Sequence, residues 1–276
     1  MMSNFENLEK ISRTLRARIV ELSHLKKMPH LGSCLSCVDI LTALYFHALD
    51  IDSKDPARAD RDRFILSKGH GAPALYQTLA LKGFFPHQDL IDDDHGAGGR
   101  FGEHPPSPSH LPGIEAATGS LGHGLPIGLG MALSGRLNQS KFKTVVLLGD
   151  GECNEGSIWE AAMFASAQKL QNLAVVVDFN KWQATGRSRE ILALAPLADK
   201  WRAFGWSTRE VDGHDMEELI RVFDNLPDGS ERPVAIIAHT VKGKGVSFME
   251  DDNNWHYRIP TAEEVTAARR ELGVGE

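Results

Sequence analysis

The stretch Val145-Val146-Leu147-Leu148-Gly149-Asp150-Gly151, continued by Glu152-Cys153-Asn154-Glu155-Gly156, constrains this chain more than any other. Four apolar residues run without a polar break and stop at Gly-Asp-Gly, which predicts a buried parallel strand ending in a tight turn. A helical pattern follows over about 157–170. A second apolar run, Leu173-Ala174-Val175-Val176-Val177, then closes on Asp178-Phe179-Asn180. Such a unit sets Asp150 and Asn180, thirty positions apart (180 − 150), at the carboxyl ends of neighbouring strands. Open α/β sheets bind ligands there. A carboxylate and a carboxamide oxygen beside a glycine turn and a helix start suit a hard cation carrying a phosphate-bearing cofactor. A lone Gly-Asp-Gly would be only a turn; here the helix and the terminal Asn accompany it at the right interval.

The chain has 276 residues, room for one large α/β domain or two small ones. With 42% hydrophobic and 24% charged residues, its composition is that of a soluble globular protein. A net charge of −7 argues against a nucleic-acid or anionic-membrane partner. No apolar run approaches the ~18 residues of a membrane span. The N-terminus, MMSNFENLEK, lacks the basic and apolar regions of a signal peptide. Three cysteines, an odd number, suit a reducing compartment, so a cytoplasmic location is expected.

Leu8, Ile11, Leu15, Ile19 and Leu22 recur at helical spacing and predict an amphipathic helix over about 4–27. Met28-Pro29-His30-Leu31-Gly32 breaks it, and Ser33 reads as the N-cap of a second helix to about residue 49. Cys34 and Cys37 form a CxxC without a second pair, which reads as two buried small side chains rather than a zinc or redox site. Arg63–Ser67 is a strand running into Lys68-Gly69-His70-Gly71, and a helix over about 72–81 stops at Gly83. The polar segment 87–112 holds His87, His95, His104 and His110 at spacings of 8, 9 and 6, which fit no metal-ligand pattern. A segment of that length without evident structure is expected to line a site. Thr118-Gly119-Ser120-Leu121-Gly122-His123-Gly124 precedes a helix over about 125–137, but its phasing is not that of a dinucleotide fingerprint. Strands over 206–211 and 233–238 alternate with helices over 197–204, 216–226 and 262–272. The fold class expected is α/β: a doubly wound, mainly parallel sheet with helices on both faces.

Gly-Asp-Gly, about thirty residues and then Asn resembles the signature of the thiamine diphosphate enzymes. The ordered series of further motifs is similar to the transketolases. That resemblance implies thiamine diphosphate and Mg²⁺ (or Ca²⁺), the metal held by Asp150, Asn180 and the carbonyl of Trp182. It implies that His30, in Pro-His-Leu-Gly where the family usually has Gly-His-Pro-Gly, lies over the substrate and assists proton transfer. By the same token His70 contacts the diphosphate, and His104, in Glu103-His104-Pro105, contacts substrate. Gly119 and Leu121 cradle the cofactor, and Gly151, Glu155, Ala184 and His256 lie about it. His256 closes the series Thr240-Val241-Lys242-Gly243-Lys244-Gly245 … Trp255-His256 as a catalytic or substrate-orienting group, with the two lysines holding the loop. Glu155 and Glu160 would share a proton at a subunit interface, with perturbed acidities. Without the resemblance His30 would read as a capping or surface residue and both glutamates as solvated. His95 and His110 remain loop surface, and His123 stands where many relatives have Gln.

The resemblance covers only the first part of a full-length transketolase. It implies one diphosphate- and metal-binding domain over 1–276, with the pyrimidine-binding and C-terminal domains absent from this chain. The expected function is that of the N-terminal subunit of a split transketolase. It would move a two-carbon ketol unit from a ketose phosphate to an aldose phosphate, active only with a separate pyrimidine-binding C-terminal subunit in an α2β2 heterotetramer. One alternative is the α subunit of a 2-oxoacid dehydrogenase, a group without the TGSLGxG and Trp-His motifs. Another is a non-catalytic regulatory subunit, against which the intact Asp150, Asn180, His30, His70 and His256 argue.

Overall fold

The structure, a computed structural model, describes residues 4–94 and 99–275. Its sheet comprises β1 (Arg63–Leu66), β2 (Thr144–Gly149), β3 (Leu173–Phe179), β4 (Ser207–Asp212) and β5 (Val234–His239). All pairings are parallel, in the order β1-β2-β3-β5-β4. β2, β3 and β5 are buried almost throughout, which is why they read as unbroken apolar runs. The edge strand β4 exposes Arg209 and Glu210.

Alternate residues feed two cores, since successive side chains point to opposite faces. Val145, Leu147 and Val176 join the core beneath helices Asn4–Lys26, Ala72–Lys82 and Met216–Asp224. Val146, Leu148 and Val175 join the other, beneath helices Gly124–Leu137, Gly156–Ala167 and Leu197–Ala203. The expected doubly wound fold is therefore present. Among the described residues no helix is long and apolar enough to cross a membrane.

The register pairs Gly149 with Asp178, so the chain leaves β2 and β3 side by side and sets Asp150 next to Asn180 at one edge of the sheet. Several boundaries differ from expectation. Ser33 does not cap the second helix; His30 does, in a left-handed conformation (φ 67°) and without a side-chain cap. That helix is three pieces, Leu31–Ser36, Val38–Ala43 and a wide π turn Leu44–Ala48, broken at Cys37. Cys37 Sγ turns back onto the Cys34 carbonyl (3.4 Å). The segment 87–112 is not wholly irregular: His87–Asp92 is helical. The helix after Gly-Asp-Gly spans Gly156–Ala167, preceded by a 3-10 turn over Gly151–Asn154 and ending before the apolar pattern does. His95 lies outside the described residues.

Candidate active site

A cleft of about 280 Å³ opens at the carboxyl edge of the sheet. Its wall includes His30, His70, His104 and His256 with Gly119, Leu121, Asp150, Gly151, Asn180, Trp182 and Ala184. Every residue singled out from sequence is thus brought together except Glu155 and Glu160. Those two are exposed on the flank of helix Gly156–Ala167, Glu155 as its N-cap residue. His110 is exposed, and His123 is exposed with Nδ1 bonded to the Leu121 carbonyl (3.1 Å).

The anchoring groups are held by backbone and small hydroxyls. Asp150 Oδ1 accepts from the Gly151 amide (3.0 Å); Oδ2 accepts from the Lys181 amide (3.0 Å) and Ser188 Oγ (2.7 Å). Burial, aided by Asp178 and opposed by the Ser188 hydrogen bond, pushes the Asp150 carboxyl up to about 6. Asn180 Nδ2 faces Asp178 Oδ2 and Ser36 Oγ (both 3.4 Å), leaving Oδ1 as the acceptor of the Trp182 amide (3.0 Å). Behind them lies a fully buried ion pair, Lys68 with Asp178. Lys68 also donates to the Ser33 carbonyl (2.8 Å), and Asp178 accepts from Ser36 Oγ (2.6 Å) and Thr240 Oγ1. Burial opposes both charges. Their mutual attraction nevertheless holds the Lys68 ammonium above its ordinary value and the Asp178 carboxyl below the usual carboxylate range.

Three imidazoles converge: ring centroids lie 4.7 Å apart for His30 and His256, 5.5 Å for His30 and His70, and 6.0 Å for His70 and His256. The His30 amide donates to the His256 carbonyl (2.7 Å), which joins the first helix break to the last motif. Burial, with His104 and Lys242 adding positive charge, lowers His30 to about 4; burial and then Lys242 lower His256 to about 3. Burial and Lys68 hold His70 well below its ordinary value. These rings are neutral at neutral pH, so each keeps one donor and one acceptor nitrogen for proton transfer. Lys242 Nζ lies 3.1 Å from His256 Nδ1 and donates to Asn253 Oδ1 (2.6 Å). An ammonium offers only donors, so His256 Nδ1 accepts and its proton sits on Nε2. Burial, then the charge of Lys68, lowers Lys242 to about 8.

His104 packs against the backbone of Gly119: a Cβ there would come within 2.9 Å of its ring, and the glycine's φ of 144° admits no other residue easily. The nearby Gly69 likewise touches Gly119, which would leave a Cβ only 2.6 Å from the Gly119 nitrogen. The glycines of the two motifs are therefore required for close packing of two backbones at the cleft wall. Trp182 is clasped from outside: the Arg187 guanidinium stacks on its ring at 3.8 Å, and both bond Asp251.

The cleft fits a cation with a phosphate-bearing group. A buried carboxylate carrying no counter-charge of its own faces it, and two buried polar atoms there, His30 Nδ1 and Gln183 Nε2, have no partner within the protein. Cys34 and Cys37 are buried free thiols, pushed up to about 12 and about 11 chiefly by burial, as expected of small core side chains. Among the described residues no cluster of three His, Cys, Asp or Glu could hold a metal.

Sequence reasoning misses Glu152, which sits inside the leading motif but carries no signal of its own there. It is buried in the cleft wall and accepts from Ser67 and from the amides of Gly122 (3.0 Å) and Gly149 (3.2 Å). It so ties the two glycine motifs together, and burial raises its pKa. Lys68, Gln183 and Lys242 are legible only as motif neighbours. Of the two loop lysines, Lys244 pairs with Glu250 within the loop's own neighbourhood, whereas Lys242 reaches the cleft histidines.

Residues 8–276 match the family model described as transketolase, thiamine diphosphate binding domain. This chain belongs to the transketolase family. It is 44% identical over 267 residues to an apulose-4-phosphate transketolase subunit of Phocaeicola vulgatus, covering 97% of this chain and 94% of that protein. It is 42% identical to the 6-deoxy-6-sulfo-D-fructose transketolase subunit SqwG of a Clostridium species, covering 88% of each. Among solved structures, the transketolase of Leishmania mexicana superposes with a TM-score of 0.89 at 26% identity, covering 96% of this chain and 41% of that one. That of Campylobacter jejuni gives 0.88 at 28% identity, covering 99% and 43%. The chain thus spans about two fifths of the length of these solved transketolases. It is a transferase of the transketolase type, and its curated relatives named above are subunits. The dehydrogenase alternative falls with this match.

Proposed function

We propose that this chain is the diphosphate- and metal-binding subunit of a two-subunit transketolase, moving a two-carbon ketol unit between sugar phosphates. The observation that carries the reading is the meeting of Asp150 and Asn180 with His30, His70, His104 and His256 in one cleft. Asp150, Asn180 and the Trp182 carbonyl would hold Mg²⁺ (or Ca²⁺), oxygen ligands for a hard cation. Thiamine diphosphate, when bound, supplies the carbanion stabilisation that ketol transfer needs. His70, Gly119, Leu121, Gly151 and Ala184 orient it, and the unpartnered Gln183 Nε2 is an added donor toward its phosphates. His30, His104 and His256 serve proton transfers at sugar hydroxyl and carbonyl oxygens.

The flank bearing Glu155 and Glu160 is where a partner would sit. Met163 and Phe164 are 53% and 46% exposed there, and Ile127 is exposed on the packed neighbouring helix. That surface supports assembly about a symmetric interface with a pyrimidine-binding partner as an α2β2 heterotetramer, the two glutamates becoming buried on assembly. The whole chain would act as one domain of a cytoplasmic enzyme. The test is native mass spectrometry of the protein from its own source. A complex with a second polypeptide, carrying thiamine diphosphate and a divalent ion that Asp150→Ala abolishes, supports the reading. An inert scaffold would assemble and tolerate Asp150→Ala without loss.

A further inference from the structure

Three residues far apart in sequence meet behind the cleft without lining it. Arg16, on the first helix, makes a paired contact with Asp39 (Nη1–Oδ1 3.0 Å, Nη2–Oδ2 2.6 Å). Asp39 Oδ2 lies 2.8 Å from His214 Nδ1. His214 Nε2 accepts the Val241 amide proton (2.9 Å), and Arg16 Nε donates to the Lys244 carbonyl (2.8 Å). Because Nε2 accepts, the ring proton sits on Nδ1 and is donated to Asp39. Arg16 and Asp39 are 5% and 6% exposed. Buried ion pairs add little net stability over apolar packing, so what this one supplies is geometry.

The two backbone groups it pins flank Lys242 in sequence, one on each side. Between them the loop is further tied by the Gly243 amide to the Gly32 carbonyl (2.9 Å), next to His30. The Lys242 stem runs against Gly32, where a Cβ would meet its Cγ at 3.0 Å, and its ammonium ends on Asn253 and His256. A loop displaced by an ångström would withdraw that ammonium and release the His256 tautomer.

We propose that Arg16, Asp39 and His214 form a positioning network that holds the Val241–Gly245 loop so that Lys242 fixes the proton of His256 on Nε2. The proposal deepens the function proposed above and rests on it for the purpose of the loop, but not for its geometry. His214 sits in Asp212-Gly213-His214-Asp215, a turn that the sequence presents only as a helix start.

The test uses the full chain without cofactor, so its outcome does not depend on whether thiamine diphosphate binds. His214→Gln places an amide oxygen where Nε2 lies and keeps the acceptor for Val241. His214→Asn keeps a donor toward Asp39 but removes that acceptor. Arg16→Lys keeps the charge but cannot reach Asp39 and Lys244 together. Hydrogen exchange of the peptide spanning 239–245 is expected to rise about tenfold in the Asn and Lys variants, the loss of one hydrogen bond, and less than about twofold in Gln. In the same two variants the ¹⁵N signals of His256 should move from a single Nε2–H tautomer toward a mixture. Unchanged exchange and tautomer in folded His214→Asn and Arg16→Lys would overturn the proposal, as would equal loosening by Gln and Asn. A wild type that shows no affinity for thiamine diphosphate even when assembled with its partner subunit, with the loop still loosened in His214→Asn, would count against the proposed function and leave the network standing.

Discussion

The two flanks of the cleft differ in how far one chain completes them. On the sheet side, the Asp178 carboxylate is enclosed by Lys68, Ser36, Thr240 and Asn180, all from the same chain. On the helix side, the carboxylates of Glu155 and Glu160 stand in water beside Met163 and Phe164. A buried charge must be answered at once or the chain does not fold, whereas an exposed one can wait for a partner. The sheet side is therefore preorganised, whereas under the proposed function the helix side would acquire its chemistry only on assembly.

The contrast is broken most sharply at Lys68. Lys68→Ala strands the Asp178 carboxylate in the interior and is expected to cost about 3–5 kcal/mol in urea unfolding. Lys68→Met with Asp178→Leu should recover most of that; equal losses in single and double variants would show that the pair's charge is not what matters. Next in size, Asp150→Ala is expected to weaken Mg²⁺-dependent thiamine diphosphate binding by more than about 100-fold, since even outer partners of a metal ligand account for 10–100-fold. Calorimetric titration of the assembled enzyme reads it.

A smaller effect is expected of acid. Burial works against the charged Asp39, but the Arg16 guanidinium and the His214 hydrogen bond hold its carboxyl well below the usual carboxylate range. A depressed folded value means stability that is full above the unfolded value near 4 and is lost as pH falls through the folded one. Urea midpoints of the wild type should therefore drop below about pH 4, and Asp39→Asn should flatten that fall. The smallest effect tests the other flank. Met163→Ser with Phe164→Ser should change the isolated chain's stability by within about 0.5 kcal/mol per site yet prevent assembly. Loss of stability with assembly intact would mean that this face already belongs to the chain's own fold.

Much of the core could be read in one dimension. β2 and β3 are buried on both faces, so their apolar runs carry no polar interruption, and Asp150 and Asn180 follow at the first residues free to face a ligand. Helix ends were harder. The break at Cys37 leaves no mark in the pattern, because Leu31–Ala43 is buried throughout, its one charged residue Asp39 included, and no solvent-facing stripe betrays a change of direction. The helix His87–Asp92 buries only Leu90, too little for a periodic signal. Glu152 was invisible because a glutamate between a glycine turn and a helix start is usually solvated; only Gly122 and Ser67, distant in sequence, bury it.

The sequence alone thus determined the alternation of strands and helices, the glycines that let backbones touch, and the acid, amide and histidines that meet at the sheet edge. Local chemistry decides the strand ends and glycine turns, which follow from neighbours in the chain, whereas the histidines were legible only through the resemblance to the transketolases. Only the tertiary structure decided which lysine meets which histidine, that Arg16, Asp39 and His214 join behind Lys242, and that Glu155 and Glu160 remain outside. These depend on contacts between residues as many as 228 positions apart, as between Arg16 and Lys244, for which no local pattern codes.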